Sequence, residues 1–245
     1  MEKKENEINL FRKDLKELNI CLEPEQEEQF LKYYDLLIEW NSFMNLTAIT
    51  EFSEVVKKHY VDSVSLIKAV PDLPEKSYTL IDVGTGAGFP GIPLKILFPD
   101  LKITLLDSLN KRVAFLKEVI SSLGLKEIEV IHGRAEDFAK QEKLREFYDL
   151  CVSRAVANLS VLAEYCIPFV KKNGFFIAYK SESALDEFKN SRNAIKILGG
   201  KYEEKKKFTL PNSDIKRILF IIKKEKDTPA KFPRKSGIPS KEPII

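Results

Sequence analysis

The chain has 245 residues, 44% of them hydrophobic, with 40 Lys and Arg against 37 Asp and Glu. That is enough apolar material to bury a large core without disulfides or metal, and it excludes a disordered tail protein. The net charge of +3 conceals an uneven distribution, with 6 basic and 11 acidic side chains in residues 1–40 but 13 basic and 6 acidic in residues 201–245, an asymmetry that points to a charged partner, nucleic acid before membrane surface.

The first residues, Met1-Glu2-Lys3-Lys4-Glu5, are charged with no apolar stretch behind them, so no secretory leader is expected. Ile8, Phe11, Leu15 and Leu18 recur at helical spacing, and Pro24 opens a second helix with Phe30, Tyr33, Tyr34, Leu37 and Met44 on one stripe. Thr50 is expected to cap a third, with Val56, Tyr60, Val64 and Ile67 inward, and Pro71 and Pro74 end it. From Tyr78 the pattern becomes strand–helix alternation, with strands near 78–83, 103–107, 128–131, 149–153 and 175–180 and helices near 90–98, 110–123, 158–167 and 184–198. Such alternation predicts right-handed βαβ units and a mostly parallel sheet. Two further strands, near 202–209 and 216–223, flank the turn cluster Pro211-Asn212-Ser213-Asp214 and predict an antiparallel hairpin closing the sheet. Residues 228–245 are basic and Pro-rich, too polar to build an element of their own.

The longest apolar run, Ile218 to Ile222, is far short of the ~18 residues of a spanning helix, so no membrane role is expected. Cys21, Cys151 and Cys166 are isolated and lack metal-ligand spacing, which fits a reducing cytoplasm and no metal site.

Ile81-Asp82-Val83-Gly84-Thr85-Gly86-Ala87-Gly88-Phe89-Pro90-Gly91 falls where the first strand of the alternation turns into a helix. Its glycines let a ligand approach the backbone at the carboxyl end of the sheet. Two registers coexist. Gly86-x-Gly88-x-x-Gly91 satisfies the dinucleotide fingerprint, which seats a pyrophosphate on a helix N-terminus. Gly84-x-Gly86-x-Gly88 with Asp82 ahead fits the loop of S-adenosylmethionine-dependent methyltransferases, Asp82 being the acid expected near the donor's ammonium. Asp107, ending the next strand, serves as ribose acid in either case. The closing hairpin favours the second register, as does Arg134-Ala135-Glu136-Asp137 after the third strand, where an adenine edge would lie. Tyr202-x-x-x-Lys206 has the spacing of a dehydrogenase pair, yet it lies in the last hairpin, and alternation would put both residues on one face. We read that match as chance.

Acceptor chemistry follows by elimination. No cysteine follows a proline, as a cytosine-carbon nucleophile would, and Val152-Ser153-Arg154-Ala155 replaces the Asn/Asp-Pro-Pro cluster of amino-nitrogen methylation. Guanine N7 needs no proton removed, so orientation and charge suffice. Arg154 and Lys180, after the fourth and fifth strands, suit such a site, and no general base is required. His132 reads as a turn or edge histidine; His59 either lines the pocket or packs against the sheet.

The ordered set of motifs resembles the bacterial 16S ribosomal RNA guanine-N7 methyltransferase family G, also called glucose-inhibited division protein B. It includes Trp40-Asn41, Asn45-Leu46-Thr47, His59-Tyr60-Val61-Asp62-Ser63, the glycine loop and Leu106-Asp107-Ser108-Leu109-Asn110-Lys111-Arg112. It continues with Gly133-Arg134-Ala135-Glu136, Ser153-Arg154-Ala155, Arg217-Ile218-Leu219 and the tail Pro233-Arg234-Lys235-Ser236-Gly237-Ile238-Pro239-Ser240-Lys241. One departure is Ser181 after Lys180, where many members have glycine.

The resemblance implies a Rossmann-like class I α/β fold with a seven-stranded, mostly parallel sheet. Residues 1–74 would be a helical extension, 75–227 the methyltransferase domain and 228–245 the tail. It implies methyl transfer from S-adenosylmethionine to N7 of a guanine in 16S ribosomal RNA or the small subunit, by a monomer that takes no DNA. Donor contacts are expected at Gly84, Gly86, Gly88, Phe89, Asp107, Ala135, Glu136 and Arg154, and RNA contacts at Arg134, Lys180, Arg234, Lys235 and Lys241. Open alternatives are an NAD-dependent enzyme and a non-catalytic RNA-binding module.

Overall fold

The computed structural model describes residues 2–154 and 157–245. Its strands are β1 (Thr79–Val83), β2 (Lys102–Asp107), β3 (Ile128–His132), β4 (Tyr148–Arg154), β5 (Val170–Lys180), β6 (Gly200–Thr209) and β7 (Lys216–Lys224). They form one seven-stranded sheet in the order β3-β2-β1-β4-β5-β7-β6. β1 pairs in parallel with β2 and β4, and β7 runs antiparallel to both β5 and β6. The order reverses between β1 and β4, which opens a crevice at the carboxyl ends of the strands.

Strand alternation separates two cores. Leu80, Leu105, Leu150, Val152, Ile177 and Leu219 face one side; Ile81, Leu106, Cys151, Phe176, Phe220 and Ile222 face the other. The first face is covered by α1 (Glu2–Glu17), α2 (Pro24–Met44), α5 (Gly91–Leu97) and α6 (Asn110–Ser122). The second carries α7 (Ala135–Phe138), α8 (Leu159–Cys166) and α9 (Leu185–Ile197). Cys151 and Cys166 are packing residues of that second core.

The acidic N-terminal helices are thus a cover for the sheet, and an aromatic column ties them to the glycine loop. Phe11 and Phe30 rings lie 5.0 Å apart, Phe30 and Tyr60 4.7 Å, and Tyr33 and Phe89 5.5 Å. The buried Tyr33 hydroxyl donates to the Ala87 carbonyl within the loop. α2 begins at Pro24 with a capping box between Glu23 and Gln26. The third helical stretch is irregular: α3 (Phe52–Val55), a π-turn (Val56–Val61), α4 (Asp62–Val64) and a 3-10 turn (Ser65–Lys68). Its N-cap is Glu51 rather than the expected Thr50, whose carbonyl instead accepts from the Tyr34 hydroxyl.

Two expectations are corrected on the second face. A bulge between Tyr202 and Glu204 shifts the β6 register, so Tyr202 lies opposite Ile222 and Lys206 opposite Leu219. Those partners belong to different cores, so Tyr202 and Lys206 sit on opposite faces of the strand. Residues 228–245 do build structure: Phe232 is buried and a short helix α10 (Ile238–Lys241) packs on α8. Prolines remove the segment's capacity for a ladder, and Arg145 supplies donors in place of one, to the carbonyls of Thr228 and Phe232 at 2.6 and 2.9 Å.

Candidate functional site

The glycine loop leaves β1 with Gly84, Gly86 and Gly88 all at positive φ. Gly86 has φ +63°, and the place where a Cβ would project is open space. Gly88 is different: a Cβ there would lie 2.5 Å from Ile92 and 2.7 Å from the Tyr33 hydroxyl. Gly88 is buried, and the close approach of Ile92 and Tyr33 leaves no room for a side chain there.

Asp82 is buried and braces the loop. Its Oδ2 accepts from Thr85 Oγ1 at 2.7 Å and from the Gly91 N–H at 2.9 Å. Burial pushes its carboxyl up to about 6, opposed by those two donors. Asp82 thus has an internal role through Oδ2, while its buried Oδ1 has no partner among the described residues. It also decides between the two glycine registers. The N-terminus of α5 already holds a carboxylate, which would repel the pyrophosphate that the dinucleotide register seats there.

Asp107 closes β2 beside the loop and is nearly inaccessible. Its Oδ2 accepts from the Gly86 N–H and its Oδ1 from the Leu109 N–H, each at 2.9 Å. Arg112 NH1 lies 3.5 Å from Oδ2, while Oδ1 keeps capacity for another donor, such as a ribose hydroxyl. On one side of Asp107 lies a cleft of about 150 Å³ lined by Gly84, Arg134, Ala135, Glu136 and Tyr165. On the other is one of about 380 Å³ lined by Thr47, His59, Gly84, Gly86, Phe89, Asp107, Arg112 and Arg154. A third, of about 540 Å³, continues past the ends of β4, β5 and β7 along Lys58, His59, Asp62, Arg154, Tyr179, Lys180 and Arg217. The first two share Gly84 and Asp107, and the last two share His59 and Arg154. The result is one groove along the carboxyl edge of the sheet.

Arg154 stands at the junction. Its guanidinium donates to Asp62 Oδ2 and the Lys58 carbonyl, each at 3.0 Å, lies 3.2 Å from His59 Nδ1 and covers the Phe89 ring at 5.2 Å. Asp62 also accepts from Arg217 Nε at 2.9 Å, so one buried carboxylate joins two guanidiniums. The π-turn brings these groups together: it carries Lys58 and His59 to the groove while Val56 and Tyr60 stay in the core. His59 stacks on Phe89 at 4.4 Å between centroids, so it both lines the groove and packs. Nδ1 lies 3.2 Å from the Lys58 carbonyl as well, and Nε2 lies 3.0 Å from Thr47 Oγ1, so both ring nitrogens are engaged.

Burial, then the Arg154 charge, lowers the His59 pKa from 6.5 to about 3. The unfolded chain therefore takes up a proton near pH 6.5 that the folded chain refuses until about pH 3. Stability from this residue is full above about pH 6.5 and declines as the pH falls from there towards 3. We expect wild type to lose more stability between pH 7 and 5 than His59→Asn does, read from urea midpoints; equal losses would contradict the neutral imidazole.

Lys180 lines the same groove but is engaged, donating to the Ala157 carbonyl and to Glu187 Oε2 at 2.8 Å. Arg134, Lys235 and Lys241 are exposed. Arg234 is engaged: its Nε and NH2 grip Glu164 in an internal ion pair. His132 ends the edge strand β3, its Nε2 3.1 Å from the Ser108 carbonyl. Ala155 lies outside the described residues. Sequence reasoning assigned no role to Asp62, Arg217 or Thr47. The local signal for Asp62 was its position three residues after His59 on one helical face.

A family profile described as rRNA small subunit methyltransferase G matches residues 26–216. The chain is 55% identical over 239 residues to the ribosomal RNA small subunit methyltransferase G of Alkaliphilus metalliredigens, covering 97% of this chain and 99% of that one. It is 50% identical over 237 residues to the Clostridium botulinum protein of the same name, covering 97% and 98%. Among solved structures, a chain of the complex between the Haloferax volcanii Trm112 methyltransferase activator and its methyltransferase superposes with a TM-score of 0.56 at 12% identity, covering 78% of this chain and 98% of that one. MtNAS in complex with MTA and tNA gives 0.53 at 14% identity, covering 80% and 70%. Those two likenesses establish the fold, the class I α/β sheet with its antiparallel last hairpin.

Proposed function

The chain belongs to the rRNA small subunit methyltransferase G family, and on that footing we propose that it methylates N7 of one guanine in 16S ribosomal RNA, with S-adenosylmethionine as donor. The observation that carries the choice of atom is the state of the 540 Å³ cleft. Asp62 and Glu187 are bound to cations, and the imidazole of His59 is neutral with both nitrogens engaged. Among the described residues of that cleft, no side chain is poised to remove a proton. Guanine N7 carries its lone pair already and asks for none to be removed.

The other two clefts would take the donor. Gly84, Gly86, Phe89 and Arg154 would hold its methionyl side, Asp107 its ribose, and Ala135 and Glu136 its adenine end. When bound it supplies an electrophilic methyl group on a sulfonium. Arg154 and His59, shared between donor and acceptor clefts, fix the wall between them, and Phe89 is locked beneath both. The acceptor base would leave its stack to enter, as base-modifying enzymes require. A guanidinium fork on O6 and N7 would block the attacking lone pair. Arg154 is already turned to Asp62, which keeps it off that edge.

Calorimetry separates the ligands. S-adenosylhomocysteine is expected to bind and NAD is not; the reverse would restore the dinucleotide reading. RNA affinity should fall with salt, and Lys235→Ala and Lys241→Ala are each expected to reduce the log–log salt slope by about 1. An unchanged slope would assign these two lysines to solubility alone.

A further inference from the structure

We infer that the C-terminal segment 228–245 shapes the adenine end of the donor site, with Arg234 as a positioning residue for donor binding. The inference rests on the donor reading above.

Two acids stand on the helices that wall the 150 Å³ cleft: Glu136 on α7, 4% exposed, and Glu164 on α8, 1% exposed. Carboxylates this buried require partners. For both, the segment supplies them. Glu164 receives the Arg234 backbone N–H at 2.7 Å, Nε at 3.0 Å and NH2 at 2.6 Å. Glu136 Oε1 receives the Gly237 N–H at 2.9 Å. Tyr165, the neighbour of Glu164, lines the same cleft.

The segment is also anchored at its root. Thr228 accepts from the buried Lys224 at 2.8 Å and donates to the Leu198 carbonyl at 2.7 Å, while Arg145 holds the carbonyls of Thr228 and Phe232. It therefore runs as a strap from the far end of β7, past α8, to the side chain of Glu136. Without the Arg234 side chain the Glu164 carboxylate is left with the backbone N–H of residue 234 alone or turns outwards. Either change moves the α8 wall on which Tyr165 sits and loosens the Gly237 contact to Glu136. Lys235 and Lys241 point to solvent from the same strap and have no such link.

The test is S-adenosylhomocysteine calorimetry and donor and RNA kinetics on full-length Arg234→Ala, Arg234→Lys, Lys235→Ala and the double variant Arg234→Met with Glu164→Leu. Arg234→Ala is expected to weaken donor binding and raise the donor KM by about tenfold, with kcat, RNA KM and the salt slope held. Arg234→Lys keeps the charge but not the two-nitrogen grip, and should show a smaller shift in the same direction. The double variant, which leaves no buried charge unpaired, should recover most of the affinity, and Lys235→Ala, whose expected effect is on RNA, should keep wild-type donor affinity and donor KM. Should Arg234→Ala fail to fold, the lysine and double variants decide. Unchanged donor affinity, or a loss confined to RNA affinity and its salt slope, would overturn the inference. Failure of wild type to bind S-adenosylhomocysteine would instead remove the donor reading, and the strap's role with it.

Discussion

Asp62→Ala is expected to lower methyl transfer to 16S RNA, measured as kcat/KM, by at least about a hundredfold, or about 2.7 kcal/mol. Asp62 is the carboxylate between Arg154 and Arg217, and all three side chains are largely buried at 4%, 13% and 22% exposure. Removing one partner of such a buried pair costs about 3–5 kcal/mol, because the remaining charge is left uncompensated. Here two guanidiniums would be left facing each other. Arg154 would be free to turn from Asp62 towards the acceptor edge, where its fork competes for the N7 lone pair. Asp62→Asn keeps an acceptor in place and should retain more activity than alanine. Wild-type kcat/KM in Asp62→Ala would make the cluster a purely structural tie.

The second large effect falls on the donor. Asp107→Ala is expected to weaken S-adenosylhomocysteine binding by about 10–100-fold, which is the loss of charge-assisted hydrogen bonds worth about 1.5–3 kcal/mol. Part of that loss is indirect, since Asp107 also fixes the Gly86 and Leu109 N–H groups and so holds the glycine loop against β2. Calorimetry at one pH and salt concentration reads it. Affinity equal to wild type would exclude Asp107 from the donor site.

Much of this was legible in the chain because it is local. Strand alternation, the glycine loop and an acid at the end of the second strand are patterns of neighbouring residues, and β1, β2 and Asp107 stand where the pattern placed them. What escaped was long-range. Asp62 meets Arg154 across 92 residues and Arg217 across 155, so neither pairing leaves a periodic trace. The tail reads as loop because prolines and lysines are poor at local order, yet Glu164, 70 residues earlier, fixes Arg234 in place. The bulge after Tyr202 is a single extra residue, and it was enough to reverse which face Lys206 occupies. Asp82 also has a role that spacing does not show. Its spacing suits a ligand contact, and only its burial beneath Gly91 and Thr85 shows that it serves the loop itself.

The most direct test of the proposed reaction is mass spectrometry of 16S RNA from cells with and without the gene for this chain. The account predicts one 7-methylguanosine present in the first and absent in the second, restored by the wild-type gene and not by Asp62→Ala. An identical modification profile in the two RNAs would contradict it.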